Sequence, residues 1–240
     1  MKLYRVLQSQ GFGSRKACRL RIHKGEVMVD GVMCDDPDAE FDTADLAFTV
    51  DGETWRYRER AYVLLHKPAG YECSHRPSHH PSVFALLPLP LIERGVQCVG
   101  RLDQDTTGLL LFSDDGQFIH RMISPKKGVA KAYRATCAEP LTEEMLGALR
   151  TGVQLNDEPE PIAALACAAL AARTLRLVLA EGKYHQVRRM IAAAGNHVDA
   201  LHREAIGAFE LPADLPPGAW RWLDAEELKR LEQPWPSVTS

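Results

Sequence analysis

At 240 residues, 45% of them hydrophobic, the chain can bury a core in one large or two smaller domains, so its fold depends on neither metal nor disulfide. A formal net charge of −3 argues against a uniformly basic, nucleic-acid-coating protein, and six scattered cysteines with no C-x-x-C pair argue against a zinc ribbon or a dithiol redox centre. The opening MKLYRVLQSQ is not a signal-peptide pattern and no run of about 18 apolar residues occurs, so a cytoplasmic protein without membrane contact is expected.

The net charge hides a segregation. Residues 1–30 carry seven Lys and Arg against two acids, while residues 31–60 carry nine acids against three arginines. Leu3, Val6 and Leu7 predict a helix over Lys2 to Gln10, and Gly11-Phe12-Gly13 breaks it. Ser14 then caps a second, basic helix over Arg15 to Lys24. Glu26 to Val32 alternates and turns at Asp30-Gly31, a strong hairpin signal. Two short helices with Ser-Arg opening the second, followed by G-x-V-x-V-D-G, resemble the S4 RNA-binding domain. That resemblance implies that Arg15, Lys16, Arg19 and Lys24 contact phosphates, whereas the bare charge run reads as a solvated helix face. Asp51 to Arg60 is polar with no apolar stripe and reads as a linker, with a second domain beginning near Ala61.

Tyr62 to Lys67 is a strand closed by Pro68-Ala69-Gly70. His75, His79 and His80 follow, but no carboxylate or thiol stands at ligand spacing, so an exposed loop is expected rather than a metal site. The stretch from Gly100 to Gly116, GRLDQDTTGLLLFSDDG, sets Asp103 and Asp105 in a polar turn ahead of the apolar run Leu109 to Phe112. A loop mounted on a buried strand is a good seat for chemistry. Arg101 there can bind phosphate, and either aspartate can serve as nucleophile or acid/base, or merely brace the turn. Further on come a helix over Gln117 to Ser124, a basic turn at Lys126-Lys127-Gly128, a strand over Val129 to Thr136 and a helix over Thr142 to Arg150. Ala163 to Leu170 is apolar and reads as buried, and Thr174 to Ala180 as a strand. Glu181-Gly182-Lys183-Tyr184-His185-Gln186-Val187-Arg188 leads into a helix ended by Gly195-Asn196. A strand to Gly207, a loop at 211–218, a strand over Trp220 to Leu223, a capped helix from Asp224 to Leu231 and a flexible tail at 233–240 complete the reading.

Four of these stretches carry a family resemblance. G-R-L-D-x-D-T-x-G-L resembles the signature around the catalytic aspartate of pseudouridine synthases of the RsuA and RluA kind. The strand end at His66-Lys67-Pro68 matches the family's N-K-P-x-G with His in place of Asn. K-x-Y at Lys131 to Tyr133 and E-G-K-x-H-Q-V-R resemble its second and third motifs. The resemblance implies that Asp103 and not Asp105 is catalytic, that Tyr133 lies against the target base, and that Arg188 pairs with Asp103. It also implies an α+β fold, with an S4-like domain at 1–60 followed by a mixed, mostly antiparallel catalytic domain at 61–232. The reaction would be uridine to pseudouridine in ribosomal RNA, most closely the small-subunit branch acting at position 516 of 16S rRNA. That isomerisation involves no redox change and no net hydrolysis, so no cofactor or metal is expected, and a monomer acting on RNA suffices. The alternatives are the same reaction on 23S rRNA, a non-catalytic S4 protein of ribosome assembly, and a metal-dependent nuclease using Asp103, Asp105, Asp114 and Asp115.

Overall fold

In the computed structural model, which describes residues 1–236, the first helices form where the apolar spacing places them. Helix α1 (Leu3–Ser9) buries Leu3, Tyr4, Val6 and Leu7, and α2 (Arg15–His23) buries Cys18 and Ile22 behind Ser14, whose hydroxyl accepts from Ala17 N at 3.2 Å. Asp30 and Gly31, at φ 47° and 82°, make the tight turn between β1 (Val27–Val29) and β2 (Val32–Met33). The expected linker is instead a strand. β3 (Ala47–Val50) turns through Asp51-Gly52 into β4 (Glu53–Arg56), and the four strands pair antiparallel in the order β2-β1-β3-β4. β4 lies at the sheet edge with Trp55 alone packed on the core, so it shows no apolar stripe.

Contacts divide the chain into two units, Met1–Ala61 with Leu87–Gln97, and Tyr62–Leu86 with the chain from Cys98 onward. A boundary near Ala61 therefore misses a return of the chain, since α3 (Leu89–Glu93) and its flanks belong to the first unit. Arg94 donates to Gln10 Oε1 and to the Glu59 carbonyl, both at 2.8 Å. Gly11 passes so near that a Cβ on it would lie 1.9 Å from the Pro90 carbonyl oxygen, a fit only glycine allows.

The second unit is built on β5 (Tyr62–Lys67), β6 (Gln97–Val99), β7 (Thr107–Ser113), β8 (Lys131–Cys137), β9 (Ala166–Ala171), β10 (Thr174–Leu179), β11 (Val198–Ile206), β12 (Phe209–Glu210) and β13 (Trp220–Trp222). Around them lie α4 (Gly116–Ile123), α5 (Glu143–Thr151), α6 (Gln186–Ala193) and α7 (Ala225–Glu232). The strand order is β13-β5-β7-β11-β8-β10-β9, with β12 beside β11 and β6 beside β7. Neighbours along that path run antiparallel except β7 and β11, which are parallel through Thr107↔His202 and Gly108↔Arg203. This is the mixed, mostly antiparallel α+β architecture the motifs imply. At that parallel crossing Gly108 has φ 108°, and a Cβ there would fall 2.3 Å from the Arg203 carbonyl oxygen. The close approach brings Arg203 beneath the strand that carries the aspartate loop.

Leu64, Leu109 and Leu111 on one sheet face pack with Phe118 and Met122 of α4 and Leu231 of α7. Asp115 caps α4, accepting from Gln117 N (2.9 Å), Phe118 N (3.2 Å) and the Tyr62 hydroxyl (2.8 Å), which makes it a structural carboxylate rather than one of a nuclease cluster. Two expectations are corrected here. Ala163 to Leu170 is not buried, because β9 is the sheet's last strand and leaves Leu165 60% and Leu170 43% exposed. The expected tail at 233–240 falls partly outside the described residues, at 237–240, but Trp235 packs on Ala130, Ala132, Val178 and Ala205 with Arg176 5.9 Å from its ring.

Candidate active site

Alternation along β5 places Val63, Leu65 and Lys67 on one side, so a lysine occupies a position patterned for an apolar residue. Lys67 is fully buried, and its Nζ donates to four carbonyls, those of Pro68 (3.1 Å), Asp103 (3.0 Å), Gln104 (3.1 Å) and Thr106 (2.8 Å). Burial pushes its ammonium below the ordinary lysine range, against the pull of nearby Asp105 and Asp103. Gly70 N donates to Gln104 O at 2.8 Å and Leu102 N to Cys73 Sγ at 3.5 Å, so the loop's backbone is held from three sides. The Cys98 thiol donates to Cys73, which lowers the Cys73 thiol and raises that of Cys98.

The loop presents Asp103 with its side chain about one-third exposed. His185 Nε2 lies 3.2 Å from Oδ1, and Arg188 Nε lies 4.0 Å from Oδ2. The expected Arg188–Asp103 pairing is thus present only at the edge of ion-pair range. The tighter partner is Asp105, whose Oδ2 accepts from Arg188 Nη2 at 2.8 Å, while Nη1 donates to the Val198 carbonyl at 3.2 Å. Two anchors fix the guanidinium and leave its Nε edge toward Asp103. His185 reaches the aspartate because it stands in the left-handed region, φ 47°, at the start of α6.

Tyr133 on β8 is 8% exposed, opposite Leu177 and Arg203, and lines a cavity of about 80 Å³ with Asp103, Arg188, Leu179 and Leu201. Thr106 Oγ1 beside that cavity is buried without a hydrogen-bond partner, as is Arg203 Nη2, while Arg203 Nε donates to the Leu109 carbonyl at 2.8 Å. Outside it opens a second cavity of about 830 Å³, and exposed Arg101 lines both. The structure therefore brings Arg101, Asp103, Tyr133 and Arg188 to one place from three separate stretches of sequence.

Other expected residues lie elsewhere. His66, standing where the family motif has asparagine, donates from Nδ1 to the Leu215 carbonyl at 2.8 Å and braces the 211–218 loop. His75 stacks on Phe84 with centroids 3.7 Å apart, and the backbone N–H groups of Ser78, His79 and His80 donate to the Glu72 carboxylate, which these bonds hold near pKa 2. No group of three or more His, Cys, Asp or Glu fit to hold a metal occurs among the described residues. In the first unit Arg15, Lys16 and Lys24 are exposed on and just after α2. Arg19, in contrast, makes a two-pronged bond to Asp38 at 2.7 and 3.2 Å, and Lys24 lies 3.9 Å from Glu26. Arg19 and Lys2 together hold Asp38 well below the usual carboxylate range.

A sequence profile of the RNA pseudouridylate synthase family matches residues 61–193, which span the Asp103 loop, Tyr133 and Arg188. The chain belongs to this family. It is 38% identical over 231 residues to the ribosomal small subunit pseudouridine synthase A of Vibrio parahaemolyticus, covering 95% of this chain and 98% of that one. It is 43% identical over 167 residues to the protein of the same name from Escherichia coli K12, covering 70% and 72%. A crystal structure of a pseudouridylate synthase aligns with a TM-score of 0.68 at 32% identity, over 96% of this chain and 99% of that one. The enzyme is thus an RNA pseudouridine synthase of the RsuA type. Sequence reasoning gave no role to Lys67 or His185 and did not foresee the hold of Asp105 on Arg188. Lys67 left a trace as a charge at an inward strand position, and His185 as part of the H-Q-V-R motif.

Proposed function

We propose that this enzyme converts one uridine of 16S ribosomal RNA, at position 516, to pseudouridine, as a monomer in the cytoplasm. The observation that carries the reading is that Asp103, Tyr133 and Arg188 line one small cavity. The small-subunit names of its relatives, at 38% and 43% identity, support the choice of RNA, and six free cysteines support a reducing compartment. Structured RNA hides its bases, so the target uridine must leave the stack and enter a pocket. Tyr133 offers that base an aromatic face, and the Thr106 hydroxyl is a buried polar group that a uracil edge can satisfy. The glycosidic N1–C1′ bond breaks, the ring turns, C5 bonds to the same sugar carbon, and the proton C5 then loses is matched by one taken up at N1, so atoms and electrons balance within the nucleotide. Asp103 is the covalent participant, aimed by His185 and Arg188. Arg101 at the rim of the pocket and Arg15, Lys16, Arg19 and Lys24 on the first unit hold phosphates, with Arg19 exchanging Asp38 for its phosphate.

The test is incubation with protein-free small-subunit RNA and carbodiimide mapping of the product, with Asp103→Asn in parallel. One pseudouridine at the expected position with wild type, and a loss of at least about a thousandfold in a folded Asp103→Asn variant, are expected. Modification of large-subunit RNA alone would overturn the target, and near-normal turnover by Asp103→Asn would overturn the assignment.

A further inference from the structure

Tyr184 is 72% exposed, yet its ring is not loose. It lies on the ring of His185 with centroids 3.9 Å apart and planes 17° from parallel, and His185 in turn holds Asp103. The backbone beneath the pair is fixed as well. Arg189 Nη1 donates to the Tyr184 carbonyl at 3.2 Å, and buried Gln186 accepts from Lys183 N at 2.9 Å and donates to Glu181 at 3.2 Å. Lys183 Nζ bridges Glu158 at 2.5 Å and Glu181 at 3.4 Å. An aromatic ring with one face covered by a neighbour and the other open to solvent, on an anchored turn, is preorganised to receive a third ring.

Its location says which ring. Tyr184 lines the outer cavity of about 830 Å³, together with Arg101, Cys73 and the 46% exposed Ile123, and does not line the inner cavity of about 80 Å³ where Asp103 and Tyr133 meet. The inner space suits one flipped base. The outer one has room for the strand that base came from, and base–aromatic stacking tolerates any base identity because every base has a π-face. We infer that Tyr184, backed by His185, stacks the base next to the flipped uridine and so positions the RNA strand. This rests on the RNA pseudouridylation proposed above.

The rival role, a clamp that merely keeps His185 on Asp103, predicts a different kinetic signature. Stacking of the neighbouring base predicts that Tyr184→Ala raises KM for small-subunit RNA on the order of tenfold, with the loss lying in KM rather than kcat and the pH profile of kcat unmoved. Tyr184→Phe, which keeps the ring, should bring KM back to within about twofold of wild type by the same reasoning. A small-subunit RNA fragment carrying 2-aminopurine on one or the other side of the target should be quenched by wild type on one side, and Tyr184→Ala should abolish that quench. An unchanged KM in Tyr184→Ala, a loss confined to kcat with a displaced pH profile, or no quench on either side overturns the inference. Wild-type protein that forms no pseudouridine in this RNA removes the functional reading itself, whereas normal product with an unaltered Tyr184→Ala removes only the stacking.

Discussion

Lys67 donates to four main-chain carbonyls with no exposed surface, whereas Arg19 grips a single carboxylate, Asp38, with its own side chain 31% exposed. The contrast extends to the units around them. Beside the Asp103 loop Arg203 is likewise buried, at 2% exposure with Nε on the Leu109 carbonyl, and Arg188 is anchored twice, on Asp105 and Val198. Along basic α2 of the first unit the cations are at least partly exposed, and Arg21–Asp51 at 2.9 Å and Lys24–Glu26 at 3.9 Å are surface pairs. A desolvated ammonium that gathers several buried carbonyls cannot be replaced by water and so fixes a loop in one geometry, while a surface pair is worth less than about 1 kcal/mol and is easily exchanged. A loop that holds one carboxylate in a fixed place needs the first arrangement; a face whose cations can exchange partners can use the second.

The largest expected effect is at Lys67. Lys67→Met removes a shared donor from four carbonyls, of which Gln104 O keeps Gly70 N and Asp103 O keeps Thr106 N, and should cost about 3–5 kcal/mol in urea unfolding, with activity of the folded fraction down at least about a hundredfold. A stable, active Lys67→Met protein would break the comparison at its strongest point. Next is Arg188, where the nearer partner is Asp105. Arg188→Ala should lose activity about a hundredfold and Asp105→Asn about tenfold, and the double variant should be little worse than Arg188→Ala alone, because both act through one ion pair. Additive losses would mean that Asp105 acts apart from the arginine. Arg188→Lys, keeping the charge, should retain more than the alanine variant.

Lys131 sharpens the buried side of the comparison. Burial, with a smaller push from Arg203, lowers its ammonium to about 8, while the unfolded chain keeps the proton to about 10.4. Below pH 8 both states are charged and the full desolvation cost weighs on the native state. Between about 8 and 10 the native protein has released a proton that the unfolded chain retains, so this lysine's contribution to stability rises with pH. Denaturant titrations of wild type and Lys131→Met should therefore differ by on the order of 2 kcal/mol more in favour of the variant at pH 7 than at pH 10. A pH-independent difference would mean that the lysine is solvated. The smallest effects belong to the first unit. Arg15→Ala and Lys16→Ala should each weaken RNA binding a few-fold and lower the salt slope by roughly 0.7–0.9 while leaving unfolding midpoints unchanged. An unaltered slope would remove these side chains from the RNA contact. Point substitutions are the right probe, since deleting residues 1–60 would strip Leu87–Gln97 of the unit in which it packs.

What the amino-acid sequence determined by itself is local or carried by motif. The Ser14 cap, the Asp30-Gly31 turn, the apolar run into β7 and the Asp224 cap of α7 are each decided by a few adjacent residues, and each forms where it was read. That Asp103, Tyr133 and Arg188 deserved to be taken together was legible from their motifs, and they line one cavity. Tertiary structure alone decided the rest. β4 reads as polar linker until β3 pairs with it, and α3 joins a unit whose other residues end at Ala61. Lys67 has no visible duty until the Asp103 loop lays four carbonyls around it, and Arg188 chooses Asp105 over Asp103 by a geometry set across 83 residues. Caps, turns and periodicity depend on neighbours in the chain, whereas an ammonium's carbonyls and a guanidinium's nearest carboxylate depend on which strands meet, as β7 and β11 meet at Gly108.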